Sequence, residues 1–264
     1  MTRNAASDSP AGSPLAEAER RALVEDLNLL VRLADRELDA EMLARLQETP
    51  PEQWFALDLS GPDFDSIRVH LAEGLAGLSA PPTSAELDAL AAEFAAIYLT
   101  HGYNAAPAES VWRDEDKLER QEAMFLVRDW YARFGVKAPD WRKRSDDHLV
   151  NELQFVALLL ERADDAATVT AVAQFLRDHL LVWAPRFADR IAARCEQQLY
   201  AGLTLVSALY LERLGRLLGE VSGEDMTAPA LVLKPIFSGP QGPDCGSPRP
   251  LKAPQNTPFT GPSW

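Results

Sequence analysis

The segment Asp146-Asp147-His148, with Glu152 following shortly after, has the residue types and spacing that metal or acid–base chemistry requires. His148 and Glu152 lie one helical turn apart and could share a metal ion, but the sequence indicates no third ligand. The carboxylates of Asp146, Asp147 and Glu152 could instead surround a divalent cation in a helical hydrolase or lyase. An aspartate or serine at a helix start, however, most often caps free backbone amides. Metal-dependent catalysis is therefore kept only as an alternative.

A second group of candidate residues lies in the segment Tyr98–Trp112, where aromatic residues, a serine and a glutamate stand among small residues. Glycine, asparagine and proline interrupt any helical period there, so Thr100–Arg113 is predicted to be a loop. Long structured loops in compact domains are more often functional than not. The alternative is an ordinary connection that Tyr98 and Trp112 pin to the core.

The common catalytic signatures are absent from the sequence, which contains no GxGxxG, GxxxxGK[ST], HExxH or GxSxG. The two cysteines, Cys195 and Cys245, form no CxxC or Cys/His cluster that could hold zinc. A secreted scaffold built on disulfides is excluded, because two cysteines make one bridge at most. These absences lower the expectation of an enzyme, and we predict no cofactor or metal site.

The charge balance is acidic, with 26 Lys and Arg against 40 Asp and Glu and a net charge of -14. This sign opposes binding to nucleic acid or to anionic lipid and favours a basic partner, unless the acidity serves only solubility. Met1–Ala16 does not resemble a secretory signal, and the longest uncharged helical stretch, Gln197–Leu211, has 15 residues. That is short of the roughly 20 needed to span a bilayer. We expect a cytoplasmic protein without stable membrane insertion.

Helical periodicity runs through most of the chain, and no strand pair is indicated. Before the loop, helices are predicted over 15–46 (one helix or a broken pair), near Trp54 and Phe55, over 62–78, and from a capping box at Thr83–Glu86 through Tyr98. Further helices are predicted from the acidic Asp114–Asp116 to Phe134 and, after a loop over 135–145, at 147–162, 166–183 and 185–218, with Pro185 in a first turn.

The predicted fold is all-α, with a single globular helical bundle domain over residues 15–222. A flexible N-terminus, residues 1–14, precedes this domain. A tail of residues 223–264 follows it and holds nine of the 19 prolines together with several glycines. Such a composition cannot bury enough apolar surface to offset its chain entropy, so the tail is predicted to be disordered or extended.

Three motifs occur in order between Leu23 and Leu218. They are Tyr98-Leu99, Gly102, Pro107 and Glu109-Ser110-Val111-Trp112; then Asp147-His148-Leu149 with Glu152-Leu153 and Phe155; and then Phe175, His179-Leu180, Trp183 and Phe187. In this combination the sequence resembles the TorD/DmsD/NarJ family of redox-enzyme maturation chaperones. It departs from the family at His101-Gly102-Tyr103-Asn104, where a Gly-Pro-Gly type of turn is common.

The resemblance implies an all-helical, cytoplasmic, non-enzymatic chaperone of the TorD-like type. Such proteins bind the apo-form of a molybdoenzyme catalytic subunit of the dimethyl-sulfoxide-reductase family, usually through its N-terminal twin-arginine signal peptide. They hold it until the molybdenum cofactor is inserted and export or assembly follows. A NarJ-like chaperone for a non-exported nitrate-reductase-like enzyme is an alternative, and both a monomer and a homodimer are open.

Matching to the motifs gives eight client-binding residues: Tyr103, Pro107, Glu109, Ser110, Trp112, Asp147, His148 and Glu152. Glu109 or Asp147 is expected to pair with an arginine of the client, and Trp112 or Tyr103 to line the apolar part of the site. On this basis the double substitution Asp147→Ala with His148→Ala is expected to weaken client binding and to leave the melting temperature nearly unchanged.

Overall fold

The computed structural model describes residues 13–114, 116–139, 142 and 144–229. Within these residues it is helical without a named strand, which confirms the predicted all-α class. The helices are α1 Glu17–Asp35, α2 Ala40–Glu48, α3 Pro62–Ala76, α4 Ser84–Phe94, α5 Glu109–Arg113, α6 Glu122–Arg133, α7 Leu149–Glu161, α8 Ala166–Asp178, α9 Leu180–Ala192 and α10 Gln198–Ser222. No helix in these ranges is long and apolar enough to cross a membrane. Most of the predicted N-terminal segment 1–14 and of the proline-rich tail 223–264 lies outside the described residues.

The long helix α10 is at the centre of the packing, in contact with α3, α8 and α9, while α7 packs on α1 and α8. Two glycines let α3 and α10 approach closely. A Cβ atom at Gly74 would lie 2.4 Å from the backbone nitrogen of Leu199, and one at Gly202 would lie 2.6 Å from Cδ2 of Leu71. Because side chains at either position would force the helices apart, these residues set the distance between α3 and α10.

Local sequence signals place several helix boundaries correctly. Thr83 and Glu86 form the predicted capping box, in which Thr83 Oγ1 accepts from the Glu86 amide and Glu86 Oε2 accepts from the Thr83 amide. The segment 15–46 is the broken pair, because the Asp39 side chain caps the start of α2. The short helix predicted around Trp54 and Phe55 is a 3₁₀ helix over Pro51–Gln53, which ends just before these two residues.

The acidic segment after the loop does not open a helix, contrary to the prediction. The second half of the predicted loop forms the short helix α5, which ends at Arg113, and α6 begins only at Glu122. Lys117 and Arg120 have positive φ angles of 52° and 63°, which no α-helix accommodates. The segment between the two helices is fixed by a distant partner, since the Gln121 amide donates to Oγ of Ser110 at 3.1 Å.

The break predicted beside Pro185 is also misplaced. Helix α8 ends at Asp178, and His179, with φ −120° and ψ −87°, separates it from α9. Pro185 therefore lies inside α9 rather than in a first turn. The predicted long helix 185–218 is divided, because α9 ends at Ala192 and α10 begins at Gln198.

Candidate functional site

Two of the sequence motifs, about forty residues apart, meet through their backbones. The Glu109 amide donates to the carbonyl of Asp147 at 2.9 Å, and the Leu149 amide donates to the carbonyl of Pro107 at 2.8 Å. These bonds flank an isolated antiparallel bridge between Ala108 and His148. We call this contact the motif bridge. It joins the starts of α5 and α7 and brings six of the eight predicted residues into one neighbourhood.

The fully buried side chain of Asp147 caps α5 and not α7, the helix that follows Asp147 in the sequence. Its Oδ2 accepts from the backbone amide of Ser110 at 2.7 Å and from the hydroxyl of the same residue. This satisfies a free amide in the first turn of α5. The cap of α7 is His148, whose Nδ1 accepts from the Val150 amide at 3.2 Å. The interpretation that an aspartate or serine caps the helix beginning here is therefore wrong for α7, which His148 caps, while Asp147 caps α5.

Glu109 is fully buried and joins the loop to the corner between α8 and α9. Its Oε1 lies 2.6 Å from Nη1 of Arg113, and its Oε2 lies 2.8 Å from Nδ1 of His179. Both carboxylate oxygens are therefore engaged within the protein. The non-helical backbone at His179 is held by this contact, which connects residues seventy positions apart.

Glu152, on α7, is a buried acid whose Oε2 accepts a hydrogen bond from the indole of Trp183 at 3.3 Å. Its Oε1 and the Oδ1 of Asp147 have no hydrogen-bond partner. Burial, followed by the charges of Glu109 and Asp147, raises the pKa of Glu152 well above its ordinary value. The surroundings of Glu152 beneath the motif bridge therefore favour the protonated form of its carboxyl group over the charged form.

The loop before α5 is clamped onto α9. The Trp112 indole donates to the carbonyl of Ala106 at 2.9 Å, and the Arg190 guanidinium lies over its ring at 4.7 Å. The Tyr103 hydroxyl donates to Glu93 at 2.8 Å, while Arg194 binds the Tyr103 carbonyl. Trp112 and Tyr103 are only partly buried, as is His148, whereas the other five predicted residues are buried.

A cavity of about 450 Å³ opens beside the motif bridge. Its described lining consists of Ala34, Phe94, Tyr98, Leu99, His101, Glu119, Pro139, Arg144, Ser145, His148 and Asn151. A smaller cavity of about 110 Å³ shares Pro139 and Asn151 with it and is lined mainly by apolar groups. Of the eight predicted residues, only His148 reaches the larger cavity. The sequence therefore did not identify most of the residues that line this cavity, although Tyr98 and Leu99, which begin the first motif, are among them.

The environment of His148 keeps its ring neutral. Burial, with contributions from Arg144 and His101, holds the pKa of His148 well below its usual range. This agrees with the hydrogen bond at Nδ1, since a nitrogen that accepts a hydrogen bond carries no proton.

The geometry does not favour the metal-dependent alternative. Among the residues that the structure describes, no group of three His, Cys, Asp or Glu side chains is arranged to hold a metal ion. Asp146 is occupied by Arg128, with Nε 2.7 Å from Oδ2. Asp147 and Glu152 are fully enclosed, so the three proposed carboxylates do not share an accessible site.

Comparison with known proteins identifies the family. Residues 65–189 match the family described as the nitrate reductase delta subunit. The chain is 32% identical over 161 residues to the chaperone protein TorD of Actinobacillus pleuropneumoniae serotype 7, covering 61% of this chain and 77% of the relative. The chain belongs to the TorD/NarJ family of chaperones. This confirms the predicted relationship.

Further relatives in the TorD/NarJ family have the same name. Chaperone protein TorD of Vibrio cholerae serotype O1 is 28% identical over 163 residues, covering 59% of this chain and 73% of the relative. Chaperone protein TorD of a Psychrobacter species is 28% identical over 176 residues, covering 64% of this chain and 78% of the relative. The chaperone names of these relatives support the prediction of a non-enzymatic protein. All eight predicted site residues lie within the matched range 65–189.

Proposed function

We propose that this protein is a cytoplasmic chaperone for the apo-form of a molybdoenzyme catalytic subunit of the dimethyl-sulfoxide-reductase family. It binds the N-terminal twin-arginine signal peptide of that subunit and releases it after insertion of the molybdenum cofactor, before export or assembly. Residues 15–222 form the chaperone domain in this proposal. Membership of the TorD/NarJ family supports the function, and the cavity beside the motif bridge supports the place of binding.

The observation that carries the proposal is the position of the cavity relative to the family motifs. His148, which takes part in the motif bridge, forms one part of the cavity lining. Leu99, at the start of the first motif, forms another part and has 63% of its surface accessible. Phe94 and Tyr98 also line the cavity, so Leu99 belongs to an apolar wall of a concave site rather than to an isolated exposed position. The site thus offers an apolar contact next to polar groups.

The eight proposed client-binding residues have two roles. The buried members Pro107, Glu109, Ser110, Asp147 and Glu152 hold the shape of the binding surface, and the partly exposed Tyr103, Trp112 and His148 contact the client. This division follows from burial, since a fully enclosed carboxylate cannot meet a client without opening of the motif bridge.

The chemistry of a twin-arginine peptide fits an acidic protein with an apolar recess. Such a peptide carries two guanidinium groups ahead of an uncharged apolar stretch. A net charge of -14 accelerates the encounter with the arginines, while the apolar wall supplies most of the affinity. Binding is therefore expected to weaken as salt is added, without being lost.

Capture of the client tests the proposal. The tagged chain is used to retain partners from the cytoplasm of its own cells, and the N-terminal peptide of a retained molybdoenzyme is titrated calorimetrically at low and high salt. Retention of an apo-molybdoenzyme whose peptide binds directly, and less tightly at high salt, is the expected result. Retention of no molybdoenzyme overturns the proposal.

A second candidate is a NarJ-like assembly chaperone whose client has no export signal. The match of residues 65–189 to the nitrate reductase delta subunit favours it. The same experiment separates the two functions. If a molybdoenzyme is retained and its N-terminal peptide does not bind, the contact lies on the mature subunit and the second candidate is supported.

A further inference from the structure

One carboxylate belongs to the described lining of the larger cavity, and its ion-pair contact is with a histidine. Glu119 is the only acidic residue in the described lining. Its nearest ion-pair contact is His101, with Nε2 3.6 Å from Oε1, which exceeds hydrogen-bonding distance. The side chain of Glu119 keeps 38% of its surface accessible. A carboxylate in this position can accept a cationic group from a bound segment.

Arg144 and His148, two of the basic residues in the described lining, do not neutralise Glu119. Arg144 is engaged elsewhere, since its Nη1 lies 2.8 Å from Oδ1 of Asp35. His148 is neutral, because its Nδ1 accepts a backbone hydrogen bond and its pKa is lowered. His101 is therefore the basic residue of the described lining that stands nearest to the Glu119 carboxylate, beyond hydrogen-bonding distance.

The carboxylates expected from the sequence to pair with an arginine are placed differently. Glu109 and Asp147 are fully buried. Both oxygens of Glu109 already contact Arg113 and His179, and Asp147 binds Ser110. A client arginine would have to separate the motif bridge to reach either of them. Glu119 is accessible without any such rearrangement.

Apolar groups stand next to Glu119. Leu118, its neighbour in sequence, has 54% of its surface exposed, and Leu99 has 63%. Phe94 and Tyr98 continue the apolar lining of the cavity. A charged acceptor flanked by exposed leucines matches a segment in which arginine adjoins apolar residues.

We propose that Glu119 selects arginine in the bound client segment. Its carboxylate pairs with one guanidinium group, while Leu99 and Leu118 contact the apolar residues that follow. This inference rests on the proposed function, because it assigns a specificity-determining contact within the same site. A carboxylate and a guanidinium can form two parallel hydrogen bonds, so arginine is preferred to lysine.

The test uses Glu119→Gln and a matched control, Glu73→Gln. Both substitutions remove one negative charge, but Glu73 is exposed on α3 and does not line the cavity. The probe is the N-terminal peptide of the molybdoenzyme that the tagged chain retains, titrated calorimetrically at two salt concentrations. Glu119→Gln is expected to weaken binding by about fivefold to tenfold and to reduce the salt dependence, as loss of a charged hydrogen-bonded pair would. Glu73→Gln is expected to leave affinity within about twofold.

Variants of the peptide complete a double-mutant cycle. Replacing the pairing arginine by glutamine should weaken binding to the wild type, and Glu119→Gln should then cause no further loss. Equal affinities of Glu119→Gln and Glu73→Gln, with the wild-type protein still bound to the peptide, would overturn the assignment of Glu119 and leave the proposed function intact. If the wild-type protein binds no such peptide, signal-peptide recognition itself fails and the assignment of Glu119 fails with it.

Discussion

Substitution of Asp147 by alanine tests whether the motif bridge is a structural frame or a direct contact with the client. The side chain is fully buried and accepts two hydrogen bonds, from the amide and the hydroxyl of Ser110. Alanine removes Oδ2, the acceptor of both bonds, and leaves the buried Ser110 amide without a partner. The first turn of α5 then loses its cap, and the Ser110 hydroxyl loses its fixed orientation toward the Gln121 amide.

The size of the effect follows from these contacts. A hydrogen bond to a charged group contributes about 1.5–3 kcal/mol, and loss of a cap costs about 1 kcal/mol. Part of this is offset, because the substitution also removes a buried negative charge near Glu152, whose pKa the Asp147 charge helps to raise. We expect a net loss of about 2–4 kcal/mol in the free energy of unfolding. In a domain of this size that corresponds to a decrease of roughly 5–15 °C in melting temperature.

The assay is thermal and urea denaturation followed by circular dichroism, together with calorimetric titration of the client peptide. Asp147→Asn serves as a conservative comparison, because the amide oxygen of asparagine can still accept from Ser110. This variant should lose about half as much stability as Asp147→Ala. Asp129→Ala, at an exposed position of α6, should leave the melting temperature unchanged within about 1 °C. If Asp147→Ala abolishes peptide binding and melts like the wild type, Asp147 is a direct contact and the reasoning is wrong. The structure thus reverses the outcome that the sequence alone suggests for this position.

Three further predictions concern separate parts of the fold. Burial raises the pKa of Glu152, so at pH values above the ordinary carboxyl pKa the folded protein binds more protons than the unfolded chain, and the free energy of unfolding falls as pH rises. In urea titrations, Glu152→Gln should therefore be more stable than the wild type, by a larger margin at pH 8 than at pH 5. Gly74→Ala should lower the free energy of unfolding by about 1–3 kcal/mol, because its Cβ would overpack against α10. Gly77 has an ordinary helical φ, so Gly77→Ala should be neutral or stabilising, and similar melting temperatures of the two variants would contradict the prediction. Arg190→Ala should lose about 1 kcal/mol and accelerate amide exchange in the loop that it clamps, while Arg186→Ala on the same helix should leave the exchange rates unchanged.

Structural features that depend on residues close together in the sequence could be predicted from the sequence alone. The apolar face of α3 is an example, because Phe64, Ile67 and Leu71 recur at helical spacing and are all buried in the structure. The capping box at Thr83 is another, since both partners lie within one turn. Such features need only helical geometry and backbone hydrogen bonding, which a single sequence displays directly.

Features that depend on distant partners were not accessible. Helix α8 ends at His179 because a glutamate seventy residues earlier binds its ring, and proline at 185 is a stronger local signal for a break than histidine. The acidic segment after Trp112 looks like a helix start, yet the backbone there is set by contacts to Ser110. The cavity has the same origin, since its lining comes from segments far apart in sequence, and so Glu119 did not stand out.

The motif bridge joins two points of the chain that are about forty residues apart in sequence. Between Pro107 and Leu149 the polypeptide forms a closed excursion, whose two ends are joined by backbone hydrogen bonds. Glu119, Pro139 and Arg144 all belong to this excursion, whereas Phe94 and Tyr98 belong to the body. One side of the cavity therefore comes from a segment whose two ends the motif bridge fixes, so substitutions within that segment can change this side without moving its points of attachment.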